Sequence, residues 1–282
     1  MQLRKHIPAH PLTNYIQHIL YVNAAIPIPY LKELPDGGIN LVVELENTVN
    51  TVFTENNSNA KYSLKNAWIS GTQRQAITYV NNPNSAILSI RFTTGGFFAL
   101  TKIPVSAIIH PCMEAELLLG NSFKHLYQKI INAGNVDGIF KAVEMYFLQK
   151  IPDDGFGISI VKFIDKNIDK PLDWLINKSG YSQKHVINLT KKYTGFSPKY
   201  LQRLNRFQNV IKEIKARKTK IEWASIAYQF DYFDQAHFIK EFIHFSGMSP
   251  GEYLSSQLAI EHNRLVGDII LLPPSYKNTL II

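Results

Sequence analysis

Two stretches of this chain, SQKHVINLTKKYTGFSP (182–198) and DQAHFIKEFIHFSGMSP (234–250), place the same residue types at the same intervals. Gln183 matches Gln235, His185 matches His237, Gly195 matches Gly247, and Ser197-Pro198 matches Ser249-Pro250. Around the first copy the charge is concentrated. Residues 183–220 hold 11 Lys and Arg against Glu213 alone, which is the footprint of a phosphate-binding face. His185 and His237 lack the carboxylate and nucleophile that hydrolytic chemistry would need, so they read as orienting or phosphate-contacting groups. His6, His10 and His18 fall in a proline-rich start, outside any strand with ligand spacing, and His110 stands alone. No metal set follows from them. The one cysteine, Cys112, reads as a small buried residue in a chain with no disulfide. TTGGFF (93–98) lacks the lysine and the helix start of a phosphate loop.

The elements that must carry these residues are helical from residue 158 onward. PLDWLINKSG has Pro171 in a first turn and Gly180 at a helix exit. Ser182 caps the next helix, which turns Val186, Leu189 and Tyr193 inward and Lys184, Ile187, Asn188 and Lys191 outward. Ser197-Pro198 opens a helix to about residue 217, roughly 28 Å long at about 1.5 Å per residue. The scheme then repeats: IEWASIAYQF as a helix, DYF as a turn, Asp234 as a cap, and QAHFIKEFIHF burying Phe238 and Phe242. Helix, short turn and second helix is the geometry that lays the second helix in a major groove.

Taken together, LDWLINKSGYSQKHVINLTKKYTGFSPKYLQRLNRFQ and ASIAYQFDYFDQAHFIKEFIHFSGMSPGEYL resemble the DNA-binding domain of AraC/XylS-type transcription regulators. The resemblance implies that Lys184, Ile187 and Asn188 read bases from the first helix. In the second, the readers would be Ala236, His237 and Lys240, with Gln235 beside them. The DNA-binding set is then Gln183, Lys184, His185, Ile187, Asn188, Lys191, Lys192, Gln235, Ala236, His237 and Lys240. The chemistry suits these roles: Lys184 and Lys240 can donate to guanine O6/N7, Asn188 can pair with adenine N6/N7, and Ile187 can pack on a thymine methyl. Two heads on one rigid helix would enter successive major grooves, about 34 Å apart. The sequence departs from the family at Ile187, at Ile243, where a lysine is common, and at Asp231, which replaces a turn glycine. Residues 221–253 carry Lys240 against Glu222, Asp231, Asp234, Glu241 and Glu252, so the first head is expected to hold the DNA and the second to tune the fit.

The first hundred residues read as β-rich. INLVVEL (39–45) and SAILSIRF (85–92) are β-branched runs, separated by turn material such as LPDGG (34–38) and VNNPNS (80–85). LPDGGINLVVEL, ISGTQ and SIRFTTGGFFAL resemble the N-terminal β-domain of a group of such regulators. Helical patterning begins near Pro104 and includes VDGIFKAVEMYFLQK (136–150). Trp68, Tyr79, Phe92 and Phe97 read as core. The expected fold is α+β: a barrel- or sandwich-like effector or dimerisation domain with following helices (1–150), a linker (151–157), a double helix-turn-helix domain (158–254) and a tail (255–282). The expected function is sequence-specific regulation of transcription, with a small-molecule effector in the N-terminal domain. The alternative is a DNA-binding regulator whose N-terminal domain binds no ligand and only dimerises or recruits a protein. No cofactor, metal or enzymatic activity is expected. The expected partner is double-stranded DNA, with RNA polymerase, an effector and a second copy of the chain as further candidates. The apolar tail is broken by Pro273-Pro274 and no run reaches the roughly 20 apolar residues of a membrane span, so the expected location is the cytoplasm.

Overall fold

The computed structural model describes residues 2–23, 29–46, 48–54, 57–80, 82, 85–152, 156–217, 221–258 and 269–272. Among the described residues, ten strands come before the second half of the chain: β1 (Gln2–His6), β2 (Ile16–Asn23), β3 (Tyr30–Glu33), β4 (Asn40–Glu44), β5 (Asn50–Thr54), β6 (Asn57–Leu64), β7 (Ala67–Ser70), β8 (Ile77–Val80), β9 (Ala86–Phe92) and β10 (Cys112–Glu114). They form two antiparallel sheets. One has the order β1-β2-β9-β4-β7-β10; the other contains β3-β8-β5-β6. Alternation gives the larger sheet one apolar face and one mixed face. In β9, Leu88, Ile90 and Phe92 are buried under helices, while Ile87, Ser89 and Arg91 face the space between the sheets. The LPDGG turn is pinned to β9. The Asp36 carboxylate accepts from the Gly38 N–H at 2.8 Å and from Arg91 at 2.6 Å, and a Cβ at Gly38 would overlap the guanidinium.

Three expectations for this half change. The proline-rich start forms strands, and His6 lies in β1 and His18 in β2. His6 stacks on Phe140 and meets Glu144 at 3.0 Å, so it anchors an edge strand to a helix. Helix also starts earlier than the sequence suggested, within TTGGFF: α1 (Gly96–Thr101) begins where Gly96 passes so close to the Tyr15 carbonyl that a side chain would collide. And β10 follows Pro104, ahead of α2 (Ala115–Leu119), α3 (Asn121–Ile131) and α4 (Val136–Leu148). The helix read over 136–150 forms as α4, with Ile139, Val143 and Phe147 buried on one side and Tyr146 half-buried beside them.

The second half runs α5 (Phe156–Lys166), α6 (Leu172–Ser179), α7 (Gln183–Thr194), α8 (Pro198–Ala216), α9 (Trp223–Gln229), α10 (Gln235–Ser246) and α11 (Pro250–Leu258). Then β11 (Ile269–Leu272) returns to pair antiparallel with β3 and extends the second sheet. Of the expected linker, residues 153–155 lie outside the described residues and Phe156 already starts α5. Of the expected tail, residues 255–258 belong to α11, and 259–268 and 273–282 lie outside the described residues.

Burial does not divide where the linker falls. One apolar core runs from the helix-covered face of the large sheet through α1, α3 and α4 into Ile160, Val161, Ile164, Leu175, Val186 and Tyr193 of α5–α7. A second core joins Leu204, Phe207 and Ile211 of α8 to Phe238, Phe242 and Phe245 of α10. It also takes in Leu34 and Ala76 of the β-domain and Ile270 and Leu272 of β11. Each helix-turn-helix unit is therefore welded to a different side of the N-terminal half.

Candidate nucleic-acid interface and an enclosed cavity

The two sequence copies fold to one plan. Ser182 accepts from the His185 N–H at 3.3 Å, and Asp234 accepts from the His237 N–H at 2.7 Å. At the other end Gly195 (φ 79°) and Gly247 (φ 70°) take the left-handed conformation, and each N–H returns to the carbonyl four residues back at 2.8 Å. Even the buried hydroxyls correspond. Thr194 donates to the Thr190 carbonyl and Ser246 to the Phe242 carbonyl, both at 2.7 Å. Asp231 stands at φ 55°, the left-handed turn that its place in the sequence requires.

On α7, Gln183, Lys184, His185, Asn188, Lys191 and Lys192 are exposed and Ile187 is half-buried. Gln183, Lys184, Ile187 and Asn188 line one shallow groove. On α10, Gln235, Ala236, His237 and Lys240 are all exposed. The ring of His185 stacks on Tyr181 at 4.7 Å. That of His237 accepts the Phe233 N–H through Nδ1 at 3.3 Å, which leaves Nε2 as the outward donor. Lys192 sits differently from the rest: its Nζ lies 4.6 Å over the Phe98 ring of α1, against the N-terminal half.

The electrostatic contrast drawn along the sequence does not survive folding intact. Glu241 is 7% exposed and bonds Arg203 of α8 at 2.6 Å, so an acid counted with the second head cancels a base counted with the first. Asp234 caps α10, and Glu252 caps α11 by accepting the Ser249 N–H at 2.7 Å. That hydrogen bond holds the Glu252 carboxyl below the usual carboxylate range. On α8, Arg206 donates to the Asp231 carbonyl and Arg217 pairs with Glu213. On the two recognition helices themselves the contrast is Lys184, Lys191 and Lys192 on α7 against Lys240 on α10.

A cavity of about 870 Å³ lies between the two sheets and opens onto α8. Its apolar walls include Leu20, Val22, Leu31, Val42 and Ile87. Leu201, Leu204, Asn205, Gln208 and Lys212 of α8 close its far side, and Ile269 of β11 lines it as well. Glu33 faces this space from β3. Enclosure by protein, then the charge of Asp36, pushes its carboxyl up to about 7. Tyr79 and Gln73 hydrogen-bond it. Tyr79 also bonds Ser70 at 3.2 Å across the two sheets, and Gln73 donates to Ser70 at 2.9 Å. The Cys112 thiol lies 3.9 Å from both hydroxyls, and burial pushes it up to about 12. It remains a thiol rather than a nucleophilic thiolate. Asp165 of α5, exposed at its surface, also lines the cavity.

Sequence reasoning missed this site. Phe97, Phe92 and Trp68 are core, as expected, but Phe92 and Trp68 also line the cavity, where Tyr79 is only half-buried. The available signal was polar residues on what should be an inward strand face: Glu33 two places from Leu31, and Ser70 two places from Trp68. Among the described residues no group of three His, Cys, Asp or Glu side chains could hold a metal ion. Nor is any helix among them long and apolar enough to cross a membrane.

Comparison with known proteins agrees with the geometry. Residues 175–256 match a family described as a helix-turn-helix domain, and residues 4–114 match a domain of unknown function, DUF6597. No curated protein matches the chain. Among solved structures it is similar to ToxT from Vibrio cholerae, with 13% identity and a TM-score of 0.41 over 90% of this chain and 98% of that one. It is also similar to ToxT bound to (E)-4-(8-methylnaphthalen-1-yl)but-3-enoic acid, with 10% identity and a TM-score of 0.42 over 90% and 99%. The chain is thus a DNA-binding transcription regulator built on two helix-turn-helix units. Its C-terminal domain is of the AraC type, joined to an N-terminal DUF6597 domain.

Proposed function

We propose that this regulator reads a specific DNA sequence with α7 and α10, and that its N-terminal cavity holds a small-molecule effector whose occupancy is felt by α8. Lys184, Ile187 and Asn188 contact base edges from the first helix; Ala236, His237 and Lys240 do so from the second. Gln183, His185, Lys191, Lys192 and Gln235 position the protein on the backbone. The observation that carries the effector reading is the shared wall: five side chains of α8, the helix linking the two reading heads, line the cavity alongside both sheets. Its volume is that of small-molecule sites in general.

On this reading the chain is a cytoplasmic regulator without enzymatic activity. RNA polymerase and a second copy of the chain are its protein partners. Selection of bound duplexes from a random pool tests the DNA half of the proposal. A single enriched motif, bound with steep salt dependence, is expected. A thermal-shift screen with small molecules tests the effector half. If the protein binds the selected operator but no compound moves its melting temperature, the N-terminal domain serves only to dimerise or recruit, and the cavity has no effector.

A further inference from the structure

We infer that the effector is an organic cation, an amine on an apolar body, whose ammonium group sits on Glu33. This deepens the effector reading of the cavity and rests on it. Glu33 and Asp36 lie close enough to repel, and one guanidinium, Arg91, stands near both. Arg91 is committed to Asp36, at 2.6 Å, with its guanidinium packed against Gly38. The site therefore holds one carboxylate more than its cations can match.

The other groups facing Glu33 add no positive charge. Tyr79 comes from β8 and Cys112 from β10, both held in their neutral forms by burial, and Gln73 is an amide. His18, which lines the cavity from β2, is pushed toward its neutral form by burial and by Lys5 and Arg91. Lys212 lines the α8 side, where its Nζ donates to Asn209, and it is not among the charges that act on Glu33. A buried carboxylate with a surplus charge is stabilised by a cation brought to it and destabilised by an anion. Around it, Leu20, Val22, Leu31, Val42 and Ile87 offer apolar walls, and Trp68 and Tyr79 offer aromatic rings that also favour a cation. An amine with a ring or branched chain satisfies both requirements; a fatty acid or phosphate satisfies only the walls or neither.

Isosteric sets differing only in the polar group test this on the full chain. Tryptamine, tryptophol and indole-3-acetate form one set; octylamine, octanol and octanoate form another. The amines are expected to raise the melting temperature and to bind at least tenfold more tightly than the alcohols, with the acids weakest. Glu33→Gln should lower amine affinity roughly 10–100-fold, the loss expected for a charged hydrogen-bonded pair, and leave the alcohols unchanged. A measurement on the unaltered protein guards against misfolding of that variant. Amine affinity should fall about tenfold per pH unit below 7, as Glu33 takes up its proton, and level off above pH 8. Alcohols or acids that bind as well as the amines would overturn the inference and leave the effector cavity standing. If no member of either set binds, the inference falls, and the effector reading falls with it only where the wider small-molecule screen is blank as well.

Discussion

The two helix-turn-helix units share a backbone plan down to their buried hydroxyls, yet they are held in different company. Positions 52 apart show it. Val186, Thr190 and Tyr193 in the first unit correspond to Phe238, Phe242 and Phe245 in the second. The first unit borrows its core from α1 and the N-terminal helices. The second makes a dense aromatic core of its own with Phe207 and caps it with the outer face of the β3 sheet. Across that boundary the Ala76 N–H bonds the Phe245 carbonyl at 2.8 Å, and Tyr200 donates to the Arg74 carbonyl at 2.9 Å. A duplicated reading head thus need not be a duplicated response. The first is tied to the helices beside the large sheet, and the second to the sheet that carries Glu33.

The largest expected effect breaks the comparison at its densest point. Phe242→Ala should cost about 3–5 kcal/mol, because Phe207, Phe238 and Tyr253 all pack on that ring. The three tryptophans make the effect readable by region. Trp223 packs on the second core, Trp174 on the first, and Trp68 lies in the β-domain. In single-tryptophan variants, Phe242→Ala should lower the unfolding midpoint reported by Trp223 well below that reported by Trp174. Equal shifts at both would show that the two cores melt as one.

Next comes the return strand. Ile270 is 1% exposed and sits in the second core, in register with Lys32 between the cavity-facing Leu31 and Glu33. Ile270→Ala should cost about 2–4 kcal/mol, again seen first at Trp223. If β11 links cavity and second head, the variant should also weaken any effect of a bound ligand on DNA affinity. An intact ligand effect would place the coupling on α8 alone.

Local signals in the sequence were reliable guides to the C-terminal half. Caps, glycine exits and the repeat fixed α6 to α10, because each depends on residues a few positions apart. The N-terminal half was legible only where strands had regular alternation, as in β4 and β9. β1 and β2 were hidden by the prolines around them, and β10 by its length of three residues. β11 could not be read at all, since its partner β3 lies more than two hundred residues away. The charge contrast was overstated for the same reason. Arg203 and Glu241 are distant in sequence and neighbours in space.

The reading residues themselves give a smaller effect. Asn188→Ala should cost about 1–3 kcal/mol on the selected operator and relax preference at one base position. Lys192→Ala should behave otherwise. With its Nζ over Phe98, it should weaken all sequences alike and slightly, and should loosen the contact between α7 and α1. If the two variants lose affinity evenly across sequences, Asn188 is not a base reader.

The smallest expected effect sharpens the comparison by making the heads more alike. Ile243 occupies the place on α10 that Lys191 occupies on α7, and both are exposed. Its neighbour Glu241 is already matched by Arg203, so a lysine at 243 would be free to meet phosphate. Ile243→Lys should raise affinity by about 0.5–1 kcal/mol at moderate salt and steepen the salt dependence by about one counterion. Lys191→Ile in the first head should lose about the same and flatten the slope by about one. Both changes leave the base-reading side chains in place, so sequence preference should stay as it was. Measured at two salt concentrations on one operator, opposite and similar changes would mean that the two helices meet the backbone alike. A loss at 191 without a gain at 243 would mean that the second head lies farther from the phosphates, and that its lone Lys240 reflects a lighter touch on the DNA.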